Sequence, residues 1–267
     1  MKRSEPTGTQ SIGRAADILR VVASAESTGF GLADIAQQAG LEKPTAHRIL
    51  RRLVDESLLV QDPATRNYHL GPLLYELGLA ARPSVPARQW CSEALTELSR
   101  LTGDCAFLIG HSGFDSVCLD RREGHFPIKV LVLGTGQRRP LGCGAGSIAL
   151  MSLMPEEEAH RILVHNADRL QERGEPGTDE FMRLIRQARE AGYATKDAPD
   201  LPVTTLSVPV PDQYGKGLCA LSVTSLTMRM EQRHAMLVST LRSIAQELSR
   251  RIRTVPGNEL LVGRYAQ

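Results

Sequence analysis

The stretch LADIAQQAGLEKPTAHRILRRLVDESLL, residues 32–59, confines the start of this chain to few architectures. Its first part places Leu32, Ile35, Ala36 and Ala39 on one helical face, with Gly40 as a stop signal. The chain restarts at once, and Pro44 suits a first helical turn because its missing N–H would lack an intrahelical partner there anyway. Two amphipathic segments joined by a tight glycine turn read as a helix-turn-helix. A helix over Ser11–Ala25, with Ile12, Ala15, Ala16, Leu19 and Val22 in register, precedes it and is ended by STGFG, residues 27–31. Behind it, LLVQDPATRNYHLGP offers two short strands, Leu58–Gln61 and Asn67–Leu70, around an Asp-Pro turn, which makes a wing.

At 100° per residue, Ala46, Ile49, Leu50 and Leu53 share the face that packs on the other two helices. Pro44, Arg48 and Arg51 point the opposite way, with His47 and Arg52 on the flanks and Thr45 near the N-terminal end, where a recognition helix meets base edges. Guanidinium groups grip guanine bidentately or pair with phosphate, so Arg48 and Arg51 are the leading DNA contacts. A run such as Lys43, Arg48, Arg51 and Arg52 is also the ordinary composition of a solvated helix face. The preceding short helix, the hairpin, and Arg66 with Asn67 at its tip favour double-stranded DNA. The formal net charge is only +2, so such binding has to come from a local patch.

With 267 residues the chain has room for two domains. The segment GPLLYELGLAAR, residues 71–82, is a short apolar helix, and PSVP, residues 83–86, breaks it. The expected layout is a disordered tail over 1–10, a winged helix-turn-helix over 11–70, a linker helix and hinge over 71–86, a second domain over 87–254 and a tail over 255–267. From residue 87 the pattern becomes mixed: helices at 88–102, 154–166, 179–193 and 228–253, and strands at 105–111, 116–122, 128–133, 204–209 and 218–224. Without regular β-α-β spacing, this is an α+β sheet with helices on one or both faces, not a doubly wound fold. No stretch approaches a membrane span and the N-terminus lacks the apolar core of a signal peptide, so a cytoplasmic protein with no membrane partner is expected. The five cysteines are odd in number, form no metal-ligand spacing and read as small buried apolar residues. No metal, cofactor or catalytic residue is expected.

The motifs LADIAQQAGLEKPTAHRILRRLVDESLL, YHLGP, RRPLGCGAGSIALM, REAGY and VPVPDQYGKGLCALSVTS occur in the order found in the IclR family of bacterial transcriptional regulators, and the chain resembles that family over about residues 11–253. The resemblance implies a winged helix-turn-helix, a linker helix in a dimer interface, and a GAF-like C-terminal α/β domain that binds a small-molecule effector. It also implies homodimers, or dimers of dimers, on palindromic operators. The linker segment reads equally well as an ordinary intramolecular helix.

The loop RRPLGCGAGSIALM, residues 138–151, has three glycines in five residues. It fails as a dinucleotide fingerprint, because Ser147 stands where the third glycine belongs and no second strand follows directly, and as a P-loop for want of a Lys-Ser or Lys-Thr pair. Free N–H groups at a helix start still favour an anion, and a carboxylate suits as well as a phosphate. The resemblance carries the effector site onto Gly144, Ala145, Gly146 and Ser147, onto Ser222 and Thr224 of the strand LCALSVTS, and onto Asp197 after GYATK. The commoner family version has a His and a Gly-Lys pair in the loop, where Gly142, Ser147 and Ile148 stand here. A rival reading makes Cys143, near the same helix start, a redox-sensing thiolate. A third makes Ser147 a nucleophile, though without a recognisable His-Asp partnership.

Overall fold

The structure is a computed structural model that describes residues 10–25, 28–80, 85–199, 201–212 and 214–253, with side chains of the fifth helix described from residue 89. Residues 1–9 of the expected first tail, residues 81–84 of the expected linker and hinge, and the expected tail over 255–267 lie outside the described residues, whereas Gln10 belongs to the first helix. The chain divides into two compact units, residues 1–82 and 83–267.

In unit 1, α1 (Gln10–Ser24), α2 (Leu32–Gln38) and α3 (Lys43–Asp55) precede a hairpin of β1 (Leu59–Gln61) and β2 (Tyr68–Leu70), and α4 (Pro72–Ala80) follows. Ile18, Val22, Ile35, Leu50, Leu53, Leu59 and Tyr68 form one buried cluster. The face of α3 assigned to packing is the one that packs: Ala46, Leu50 and Leu53 are buried and Ile49 is half-buried. Leu59 pairs with Leu70 and Gln61 with Tyr68 in an antiparallel ladder.

Unit 2 is built on one antiparallel sheet in the order β5-β4-β3-β8-β7-β6. Its strands are β3 (Cys105–Ser112), β4 (Asp115–Arg122), β5 (Arg138–Pro140), β6 (Ala194–Asp197), β7 (Val203–Pro211) and β8 (Gly217–Leu226). The helices are α5 (Val85–Thr102), α6 (Ala145–Met151), α7 (Glu156–Gln171), α8 (Thr178–Ala191) and α9 (Thr227–Arg253). Strand alternation divides the core in two. Phe107, Ile109 and Ala220 pack with α6, α7 and α8, whereas Ala106, Leu108, Leu221 and Val223 pack with α5 and α9. The α+β class with helices on both faces is as expected.

Two local expectations fail. Residues 128–133 form no strand: Ile128 and Leu131 are exposed, and the segment between β4 and β5 runs as an irregular strap. β4 instead pairs with β5, Ser116 opposite Arg139. β5 and β6 were not foreseen, because RRP and ATKD are short and polar, as sheet edges commonly are.

Candidate functional site

The outer face of α3 is basic and open. Lys43, Pro44, His47, Arg48, Arg51 and Arg52 are exposed and Thr45 is half-buried. Among the described residues Lys43, Arg48 and Arg51 have no carboxylate partner, while Arg52 Nη2 lies 2.5 Å from Glu56 Oε1, one turn on. An exposed pair of this kind is worth only about 0.3–0.5 kcal/mol, so Arg52 is readily diverted to another anion.

The wing is held by its own polar groups. Asp62 Oδ1 accepts the N–H groups of Ala64 (2.7 Å) and Thr65 (3.2 Å), which lowers the Asp62 pKa below the ordinary carboxylate value. Arg66 adopts φ +61° at the tip, and its carbonyl accepts from Gln61 Nε2 at 2.9 Å. Asn67, expected to contact DNA backbone, donates Nδ2 to the Thr28 carbonyl at 2.9 Å, and Tyr68 N–H donates to Phe30 O at 2.9 Å. The Asn67 amide therefore ties the wing to the chain before α2 and leaves Arg66 as the exposed cation at the tip.

In unit 2 a cavity of about 50 Å³ opens between the sheet, the start of α6 and the strap. Gly144, Ala145, Gly146, Ser147, Ser222 and Thr224 all line it, so six of the seven positions assigned to the effector converge there. Phe107, Ile109, Val132 and Leu133 supply its apolar walls. Gly146 is required by contact: a Cβ there would lie 2.8 Å from Ile109 Cγ1. Gly144 precedes α6 with φ +85°, a left-handed conformation that glycine adopts without a Cβ penalty.

The hydroxyls differ in what they already hold. Ser222 Oγ lies 2.8 Å from Ser207 Oγ and Thr224 Oγ1 lies 2.9 Å from Thr205 Oγ1, both across the β7–β8 ladder. Ser147 is 1% exposed and its Oγ has no hydrogen-bond partner among the described residues. A buried hydroxyl without a partner carries a desolvation cost of about 1–3 kcal/mol, which a bound polar group would remove.

The seventh position does not join them. Asp197 ends β6, is exposed, and accepts a hydrogen bond from Thr204 Oγ1 at 2.5 Å, so its carboxylate serves the β6–β7 edge. Conversely Arg139, inside the RRPLGCGAGSIALM motif but not assigned to the site, and Thr205, outside every motif, line the cavity. Arg139 lies in the three-residue edge strand β5, directly before Pro140, where no periodicity betrays its direction.

Cys143 also lines the cavity, but its surroundings oppose a reactive thiolate. Burial and then the adjacent Glu175 carboxylate push its pKa up, outweighing Arg139 and Lys196. Glu175 itself is ion-paired with Lys196. The redox reading calls for the opposite shift, which these surroundings do not supply. The helix-dipole argument weakens too, because α6 has only seven residues. Among the described residues no group of His, Cys, Asp or Glu is arranged to hold a metal ion, and no helix is long and apolar enough to cross a membrane.

Residues 11–63 match the IclR helix-turn-helix domain family, and residues 82–250 match the family described as bacterial transcriptional regulator IclR C-terminal. The chain belongs to the IclR family. It is similar to the HTH-type transcriptional regulator XynR of Escherichia coli K12, 29% identical over 224 residues that cover 83% of this chain and 88% of XynR. The crystal structure of an IclR transcriptional regulator from Alicyclobacillus acidocaldarius superposes with a TM-score of 0.72 at 24% identity, covering 91% of this chain and 98% of that one. An IclR homologue from Microbacterium hydrocarbonoxydans, crystallised with 4-hydroxybenzoate, superposes with a TM-score of 0.68 at 20% identity, covering 92% and 100%. This IclR-family chain is thus a transcriptional regulator rather than an enzyme, with a DNA-binding helix-turn-helix and a C-terminal effector domain.

Proposed function

We propose that this regulator grips a palindromic operator through Lys43, Pro44, Thr45, His47, Arg48, Arg51, Arg52 and Arg66, with Asn67 orienting the wing. A small organic acid in the cavity of unit 2 changes that grip. The observation that carries the sensing half is the buried, unpartnered Ser147 hydroxyl in a cavity shared with Ser222 and Thr224. The homologue crystallised with 4-hydroxybenzoate supports the ligand class.

Two-fold symmetry in the operator calls for two recognition helices about one helical turn apart, hence a dimer or dimer of dimers. Support comes from α4, which buries none of its residues and exposes Tyr75, Leu77 and Leu79 at 72, 52 and 60%. An apolar helix so exposed is an association surface by composition.

The test is a titration of duplex DNA from the promoter region beside the protein's own gene, with and without organic acids that bind the protein. An acid that binds is expected to change DNA affinity about 5- to 150-fold, the usual range of allosteric coupling. Binding of acids that leaves DNA affinity untouched rules the sensing reading out.

A further inference from the structure

Among the described residues the walls of the cavity hold one charged side chain, Arg139, and it has no ion partner. Arg139 donates Nη2 to the Val132 carbonyl at 2.6 Å and makes no ion pair among the described residues. Cations nearby are matched: Arg138 meets Asp115 at 3.1 Å, Arg122 meets Asp120 at 2.5 Å, and Lys196 pairs with Glu175. Arg121, which also lacks a carboxylate, donates to the Leu133 carbonyl and does not line the cavity. A half-buried guanidinium with spare donors therefore shares a wall with the fully buried, unpartnered Ser147 hydroxyl. A guanidinium only partly withdrawn from water and without an ion partner keeps donors free for an anion the cavity admits.

Charge and size narrow that anion. A single guanidinium matches a carboxylate with two parallel N–H···O bonds, whereas a phosphate brings more charge and a third oxygen that the cavity does not match with a second cation. One water needs roughly 10–15 Å³ by the measure in which this cavity is about 50 Å³, so the space suits a compact body. Its walls of Phe107, Ile109, Val132 and Leu133 are apolar.

Resting on the reading of unit 2 as the sensor, we infer that Arg139 sets the charge specificity of the effector. The ligand is a compact monocarboxylate whose carboxylate lies on the Arg139 guanidinium, whose apolar body faces Phe107, Ile109, Val132 and Leu133, and whose polar edge meets Ser147. Arg139 is also the tether of the strap through Val132, so the residue that recognises the acid is in contact with the segment that covers it.

The test uses the full-length protein and matched probes: linear monocarboxylates from acetate to hexanoate, their hydroxy acids, benzoate and the hydroxybenzoates, each against its uncharged amide, followed by calorimetry and thermal unfolding. At least one acid is expected to bind, with its amide at least tenfold weaker. Arg139→Gln should bind acid and amide alike, and Arg139→Lys should restore part of the preference. Equal binding of acid and amide by the wild type, retention of the preference in Arg139→Gln, or no binding by any acid overturns the assignment. If Arg139→Gln does not fold, Arg139→Met takes its place with the same expected loss of preference, and retention of the preference in it overturns the assignment. Promoter DNA separates this assignment from the reading beneath it. Ligands that bind without acid preference yet shift DNA affinity sink the role of Arg139 and leave the sensor standing. Acids that bind with the preference and leave DNA affinity unchanged do the opposite.

Discussion

Gly146 shows how tightly the cavity wall is built. Because a Cβ would stand 2.8 Å from Ile109 Cγ1, Gly146→Ala must displace the Ile109 side chain or push α6 and β3 apart. Its expected cost is about 1–3 kcal/mol in denaturant unfolding, as for other overpacked cores. Ser147→Ala is expected to leave the ligand-free protein as stable or slightly more so, since it deletes a buried hydroxyl that has no partner, and to weaken binding of the acid. The Cys143 thiol has its pKa raised by burial and by Glu175, so its alkylation by iodoacetamide at pH 7.5 should be slower than that of free cysteine, and its rate should go on rising with pH beyond the point where that of free cysteine levels off. The same shift means that the stabilisation tied to its protonated form is complete below the unfolded-state pKa and declines as pH rises from there through the folded one. At this scale the sequence was informative where a motif carried the residue, as for Gly144 to Ser147. It was silent on Arg139, whose significance lies in having no partner, a property that only the folded neighbourhood defines.

At the level of elements, α3 and the wing form one device. The 3.6-residue period of α3 made its two faces legible before any coordinates, because burial of Ala46, Leu50 and Leu53 fixes where Arg48 and Arg51 must point. Arg48→Ala should cost about 1–3 kcal/mol of DNA affinity and relax base preference if it reads a base edge; a uniform loss with a shallower salt slope would assign it to phosphate. The wing depends on the Asp62 carboxylate accepting two N–H groups, and its folded pKa lies below the ordinary 3.8. Its contribution is therefore present above the unfolded-state pKa and lost as pH falls through the depressed folded value. An NMR titration of the Asp62 carboxyl should show a midpoint below that of a free aspartate. The strap was misread for a related reason. Apolar residues at 128–133 look like strand material, yet two of them, Val132 and Leu133, are spent on covering a cavity and not on a sheet face.

On the scale of unit 2 the two sides of the sheet are stitched at one corner. Asp104, 2% exposed at its side chain, accepts from Ser225 Oγ (2.8 Å), Arg229 Nε (2.9 Å) and Arg233 Nη1 (2.8 Å). The Arg229 guanidinium also lies 4.0 Å from the centre of the Phe126 ring, at the root of the strap. Removing the carboxylate in Asp104→Ala leaves two cations facing each other in a part-buried site. Such changes cost about 3–5 kcal/mol in a buried setting, so chemical unfolding of unit 2 should register a loss approaching that range.

The division of the core has a mechanical consequence. The cavity opens among Phe107, Ile109, Ser222 and Thr224 on one side of β3 and β8, while α5, the segment through which the chain enters unit 2, rests on Ala106, Leu108, Leu221 and Val223 on the other. Each strand thus has the cavity on its front and the helix on its back. An acid bound there as proposed would have β3 and β8 between it and α5, so its arrival should be written in the amide hydrogen exchange of both strands together, even at residues it never touches.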